Sequence, residues 1–460
     1  MRLAWAPVPE TIATGDPLDD AGLPAPLRAR LRALMDDDGS RSAAGLAAAT
    51  LLNNAIQLVF VVAFTRILGA SGYGSLAALV SAFLILLAVG YSLQATAARE
   101  TAMDRLGSAA VLRRTLRSWT EWLLLALVAS IAIAAVLRDP IAQLIGVEDH
   151  PWAAATVLPT GVLWLLLSLQ RGALQGLSAY LPVGASIVGE AAGRLLIALL
   201  LVSGFGMGVG GAFIALPLSF IVMIVALEVV LLRRIGPVER THASARSLRA
   251  LTTGGRVPVL ALLLLAALQN VDVIMAAREL PAATAGAYAA ASVAAKSVVW
   301  VAIGLGLQVL PEAARRSARG LDPLPILGRA LAALLALAMP AIVVFAAAGE
   351  PLMRLGFGEE LAQGADALPL LAAAMTLLAA TYLTVQYLLA THHAGFLWVL
   401  APLAVAEPLL LSLGGLGMTT FALCVLAVQA AGAAGVGMFA LAARRATFAA
   451  TAAPLTATAD

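Results

Sequence analysis

Residues Leu262–Val301 read LLLLAALQNVDVIMAARELPAATAGAYAAASVAAKSVVWV. An apolar run, a short turn around Glu279-Leu280-Pro281 and a second apolar run predict two membrane helices joined at one face of a bilayer. Gln269, Asn270, Asp272 and Lys296 sit inside those runs. A charge at the centre of a membrane helix costs roughly 2.5–3.5 kcal/mol on insertion scales. Such side chains persist where they face protein or a wet cavity, so this stretch predicts a polar interior.

The rest of the chain extends that reading. Of 460 residues, 61% are hydrophobic and 12% charged, and the mean hydropathy is +0.94. That balance excludes a soluble domain. Lipid cannot satisfy a bare backbone, and continuous apolar runs mark α-helices rather than the short alternating segments of a β-barrel. Twelve such runs follow a polar tail, residues 1–42: about 43–65, 75–97, 118–137, 152–170, 183–203, 208–232, 257–277, 284–309, 326–348, 367–390, 396–413 and 416–442. Each approaches the roughly 20 residues that a bilayer requires. The tail has no apolar core of a signal peptide, and Leu27–Met35 is able to form a basic amphipathic turn on a membrane surface.

The arginines test the count. With the N-terminus inside, 23 of the 29 Lys and Arg residues fall on cytoplasmic segments, and only Arg66, Arg138, Arg278 and Arg354 fall outside. Arg194 and Lys296 lie within spans. This asymmetry obeys the positive-inside rule and predicts two cytoplasmic termini. A basic linker, residues 233–256, divides residues 43–232 from residues 257–443, with a tail at 444–460. Six spans on each side let the halves be related by an axis along the membrane normal, a parallel repeat. RILGASGYGSLAALVSA (Arg66–Ala82) and RELPAATAGAYAAASVAA (Arg278–Ala295) echo each other in that register.

These motifs also carry a likeness. RILGASGYGSLAAL, NVDVIMAAREL with AGAYAAASVAAK, LPEAARRSA and MRLGFGEELAQGADALPLLA, in this order, resemble signatures of polysaccharide flippases. Those belong to the multidrug/oligosaccharidyl-lipid/polysaccharide exporter superfamily, together with the MATE antiporters. The resemblance implies an all-α polytopic membrane protein of about twelve helices in two six-helix bundles around a V-shaped cavity. It implies movement of a lipid-linked saccharide, or a drug, by alternating access in the bacterial cytoplasmic membrane. The implied partners are the lipid-linked oligosaccharide, the bilayer and polysaccharide-assembly enzymes. Coupling to H⁺ or Na⁺ is open.

Candidate cavity residues follow from misplaced polarity. Lys296, mid-span, is too deep to snorkel to either surface; it meets a diphosphate or forms an ion pair with Asp272 or Glu407. Asp272 lies near one end of the seventh span, with Gln269 expected on its face and Asn270 off it. Glu190 and Arg194 stand at i,i+4 and are expected to neutralise each other. Asn53 and Gln57 give the first span a polar face for interhelical bonds or sugar hydroxyls. Glu407 precedes Pro408, a carboxylate beside a kink. Arg66 and Arg278 read as anchors, while Arg99 and Arg171 are placed to receive an anionic headgroup.

Other chemistries find little support. A GxxxxGK[ST] loop is absent, so the chain is not its own ATPase. Four His and one Cys make no ligand cluster. The Gly204–Gly211 run lies in a hairpin rather than after a strand, which excludes a dinucleotide site. Nothing points to nucleic acid. The expectation is a non-enzymatic flippase; a cation-coupled drug antiporter, a membrane-embedded glycosyl transferase or polymerase, and a scaffold are the alternatives.

Overall fold

The computed structural model describes residues 38–103, 109–235, 256–319 and 321–452. The tail before residue 38, most of the linker and the last residues lie outside that set. Every element among the described residues is helical. The first half contains α1 (Asp38–Ala102), α2 (Ala109–Val136), α3 (Arg138–Ile145), α4 (Pro151–Ala155), α5 (Val157–Gly176), α6 (Tyr180–Leu199) and α7 (Gly208–Ile235). The second contains α8 (Arg256–Glu279), α9 (Ala282–Ala295), α10 (Ser297–Ala318), α11 (Leu324–Phe357), α12 (Leu368–Ala390), α13 (Leu397–Leu411) and α14 (Met418–Ala452).

Ten helical stretches are long and apolar enough to cross a membrane. One of them, Ala48–Ala102, has 55 residues, more than twice what one crossing takes. It breaks at Gly69, whose φ of 67° suits a residue without Cβ, and so makes two crossings. α13, with 15 residues, is the short one. Among the described residues this gives eleven crossing-length segments and the shorter α13, which correspond to the twelve apolar runs of the sequence. The eighth is α9 and α10 joined end to end, with Lys296 at the junction. α14 runs on through Arg444 and Arg445 instead of ending with the apolar run.

The buried side chains gather in two cores. One holds first-half residues such as Phe64, Trp164, Phe213 and Phe220. The other holds second-half residues such as Tyr288, Met375, Phe396 and Phe421, joined by Ala70, Tyr73 and Ala77 from α1. Outward faces carry Leu125, Val128, Leu196, Val225, Leu337 and Val405. An apolar exterior of this kind suits lipid, where burial supplies no drive to sequester it.

The halves meet closely at the end of the bundle that contains Gly69. Arg66 Nη2 donates to Leu355 O at 2.9 Å. The Ala70 N–H, at the start of the helix beyond the break, donates to Glu360 Oε2 at 3.1 Å. A Cβ on Gly74 would lie 2.9 Å from Gly286 N, so two glycines bring α1 and α9 into backbone contact. Arg278 packs on Gly146. The opposite end, where α7 finishes in Arg233 and Arg234 and α10 in Arg315 and Arg316, is the basic end. Among the described residues α5, α6 and α7 have no substantial packing against α10–α14.

Candidate functional site

Two separate polar clusters occupy the interior, one in each half. In the second half, Asp272 is fully buried on α8. Ser292 Oγ donates to its Oδ2 at 2.9 Å and Tyr288 OH to the same atom at 3.2 Å. Lys296 Nζ lies 3.6 Å from Asp272 Oδ1 and donates to Asn270 Oδ1 at 3.4 Å. The break between α9 and α10 sets the lysine there: Val299 N bonds back to Lys296 O in a tightened turn. Glu407 on α13 is also fully buried, and its Oε2 accepts from Gln429 Nε2 at 3.4 Å. Gln429 donates as well to Leu268 O at 3.0 Å. Asp272 Oδ1 and Glu407 Oε1 have no hydrogen-bond partner. This half therefore buries two carboxylates against one ammonium.

Asp272 is sealed under α9 and stands beside Lys296, one of the two ion-pair partners the sequence offered for that lysine. Two other expectations are corrected. Asn270, expected off its face, joins the cluster because the long lysine stem spans both positions. Gln269, expected on that face, is only half-buried and takes no part in the side-chain bonds around Asp272.

The first-half cluster centres on α6. Arg171, buried on α5, donates to Glu190 Oε2 at 2.8 Å, to Ser186 Oγ at 2.9 Å and to Ser186 O at 3.0 Å. Its guanidinium also lies 5.6 Å from the Trp164 ring centroid. Arg171 is thus committed to a structural pair rather than standing at the surface for a headgroup. Glu190 is taken by Arg171 and makes no direct ion pair with Arg194, although the i,i+4 spacing suggested one. A charge-assisted bond from a guanidinium on the neighbouring helix, itself oriented by Ser186, takes the carboxylate in place of the same-helix neighbour.

Arg194 is left in an unusual position. It is 9% exposed. Its Nη1 donates to Gln57 Oε1 at 3.2 Å, its Cζ sits 4.0 Å from the Phe60 ring centroid, and its Nε is buried without a partner. Gln57, Asn54 and Asn53 line the first crossing beside it. Asn53 Nδ2 donates to its neighbour Asn54 Oδ1 at 3.3 Å. The first half thus holds two buried cations against one carboxylate in this cluster. Two polar residues escaped the sequence reading, Gln429 in the second-half cluster and Glu360 at the Gly69-end contact. Gln429 was legible as a polar residue in an apolar run; Glu360 was not, because its partner is 290 positions away. Among the described residues no group of His, Cys, Asp and Glu could hold a metal ion.

No family model matches the sequence, and no curated protein matches it. Solved structures do match. An inward-facing multidrug resistance MATE family transporter of the MOP superfamily is 14% identical, covering 87% of this chain and 96% of its own, with a TM-score of 0.69. The lipid II flippase MurJ in an inward closed conformation is 12% identical, covering 86% of this chain and 87% of its own, also at 0.69. An outward-facing structure with the same MATE description as the first is 15% identical, covering 90% of this chain and 98% of its own, at 0.56. These superpositions establish the fold alone: an all-α, MATE-like architecture.

Proposed function

We propose that this chain is an alternating-access flippase for an anionic amphiphile, a polyprenyl-diphosphate-linked oligosaccharide destined for cell-surface polysaccharide. The observation that carries the reading is Arg194, a buried guanidinium with one side-chain acceptor and an unpartnered Nε. An uncompensated cation in a membrane protein is costly unless an anion visits it. A diphosphate supplies that anion, and Gln57, Asn53 and Asn54 supply sugar-hydroxyl partners nearby. Lys296, already paired with Asp272, serves the scaffold of the second half in this reading. Gln269 has no role in it.

The positive-inside asymmetry supports a cytoplasmic basic end. The Gly69 end is then the external seal, and the conformation is inward-facing. Better superposition on the inward-facing than on the outward-facing MATE structure agrees with that assignment. Rocking residues 43–232 against 257–443 would exchange the seal between ends. Solved relatives described as transporters and flippases support a carrier over a transferase or polymerase.

Glu407 favours a second reading. Its fully buried carboxyl keeps one oxygen without a partner in a cluster of two carboxyl groups and one ammonium, which suits a coupling cation or a cationic drug. Proteoliposomes separate the two. Flippase activity predicts translocation of a fluorescent polyprenyl-diphosphate saccharide, lost in Arg194→Gln. Efflux of a cationic dye without saccharide movement would establish the antiporter instead.

A further inference from the structure

A cleft at the basic end of the first half, enclosing about 320 Å³ between α2, α5 and α7, is used by neither cluster described above. Its mouth carries Arg113 and Arg117 from the first turns of α2. Its inner wall carries Gln170 from α5 and Glu228 from α7. Gln170 is 3% exposed, and its Nε2 donates to Glu228 Oε2 at 2.9 Å. A carboxylate accepts and never donates when ionised, so this bond fixes the amide orientation. Gln170 Oε1 is consequently an acceptor, and it is buried with no donor. Buried polar atoms of this kind are rare and call for a partner.

We infer that this cleft binds a membrane phospholipid with a primary-amine headgroup. The cleft lacks an N–H donor where Gln170 Oε1 and Glu228 stand together, and a primary ammonium brings three. The phosphodiester of the same headgroup, one ethylene link away, meets Arg113 and Arg117 at the mouth. Glu121, also on the lining, pairs with Arg117 at 2.9 Å, so the lining carries carboxylates as well as guanidinium groups. Groups of both signs suit a zwitterion better than a lipid with net negative charge. Leu116, Leu231 and Ile235 continue the wall with apolar surface for the glycerol and the first acyl carbons. Guanidinium groups at the height of the headgroups are the usual cationic partners of lipid phosphate. The inference is independent of the transported substrate.

The test uses the purified full chain in mild detergent, with dioleoyl phosphatidylethanolamine, phosphatidylcholine and phosphatidylglycerol added separately and bound lipid counted by native mass spectrometry. Phosphatidylcholine keeps the phosphate and positive charge but has no N–H. The expected result is about tenfold tighter retention of phosphatidylethanolamine than of either other lipid, the worth of one charge-assisted hydrogen bond. Glu228→Gln should erase the preference over phosphatidylcholine, and Arg113→Ala should weaken both alike. Equal retention of the three lipids, no retained lipid, or an unchanged preference in Glu228→Gln would overturn it. The lipid series on the unsubstituted protein decides the matter even where a variant does not fold.

Discussion

Replacing Lys296 by Met separates a structural lysine from a transporting one. The substitution keeps the stem volume and removes the ammonium 3.6 Å from Asp272. Asp272 is fully buried, so its charge would be stranded. Breaking one side of a buried pair costs about 3–5 kcal/mol. Ser292 and Tyr288 still donate to Oδ2 at 2.9 and 3.2 Å, which places the loss toward the lower end. At about 2–4 °C per kcal/mol for a unit of 150–250 residues, melting should fall by roughly 6–12 °C for a loss near 3 kcal/mol. Detergent-solubilised protein followed by intrinsic fluorescence reads this directly. The double variant Lys296→Met/Asp272→Asn removes the stranded charge and should recover most of the loss, giving a coupling energy of the opposite sign. An unchanged melting temperature in the single variant, or a double variant no better than the single, would refute the ion-pair account.

Three further outcomes follow from the same geometry. Gly286→Val places a branched side chain against the Ala70 carbonyl; it should weaken the Gly69-end seal, and spin labels across α1 and α9 should report wider separations there. Glu360→Ala removes the acceptor of the Ala70 N–H. Its cost should be about 1 kcal/mol, that of a lost helix N-cap, read as greater thiol accessibility at a cysteine placed nearby; unchanged accessibility would count against the seal. Glu407→Gln removes the excess carboxylate but keeps an acceptor for Gln429; the protein should fold and lose any dependence of transport on a cation gradient.

The apolar segments were legible because hydropathy alone reports which helices are long and apolar enough to cross a bilayer. The kink at Gly69 was visible only as a turn; that two crossings run as one broken helix depends on a backbone torsion. The echo between Arg66–Ala82 and Arg278–Ala295 has a physical counterpart: Gly74 and Gly286, one from each motif, touch. The site was less legible. Helical spacing relates residues on one helix, and it therefore paired Glu190 with Arg194 and Asp272 with Gln269. The partners that win come from neighbouring helices: Arg171 for Glu190, Gln57 for Arg194 and Ser292 for Asp272, whose pairing with Lys296 the sequence had offered as one of two alternatives. Sequence polarity marked which positions matter, whereas helix rotation decided who meets whom. The spare cation at Arg194 emerged from that difference.

The most direct measurement reconstitutes the full chain in liposomes carrying a fluorescent polyprenyl-diphosphate oligosaccharide and follows quenching by membrane-impermeant dithionite. The account predicts that the quenched fraction rises from about half, for lipid confined to its leaflets, toward completion at a rate set by the protein, and that Arg194→Gln stays near half while remaining folded. Quenching that stops near half with the unsubstituted protein, or proceeds equally fast in Arg194→Gln, would contradict it.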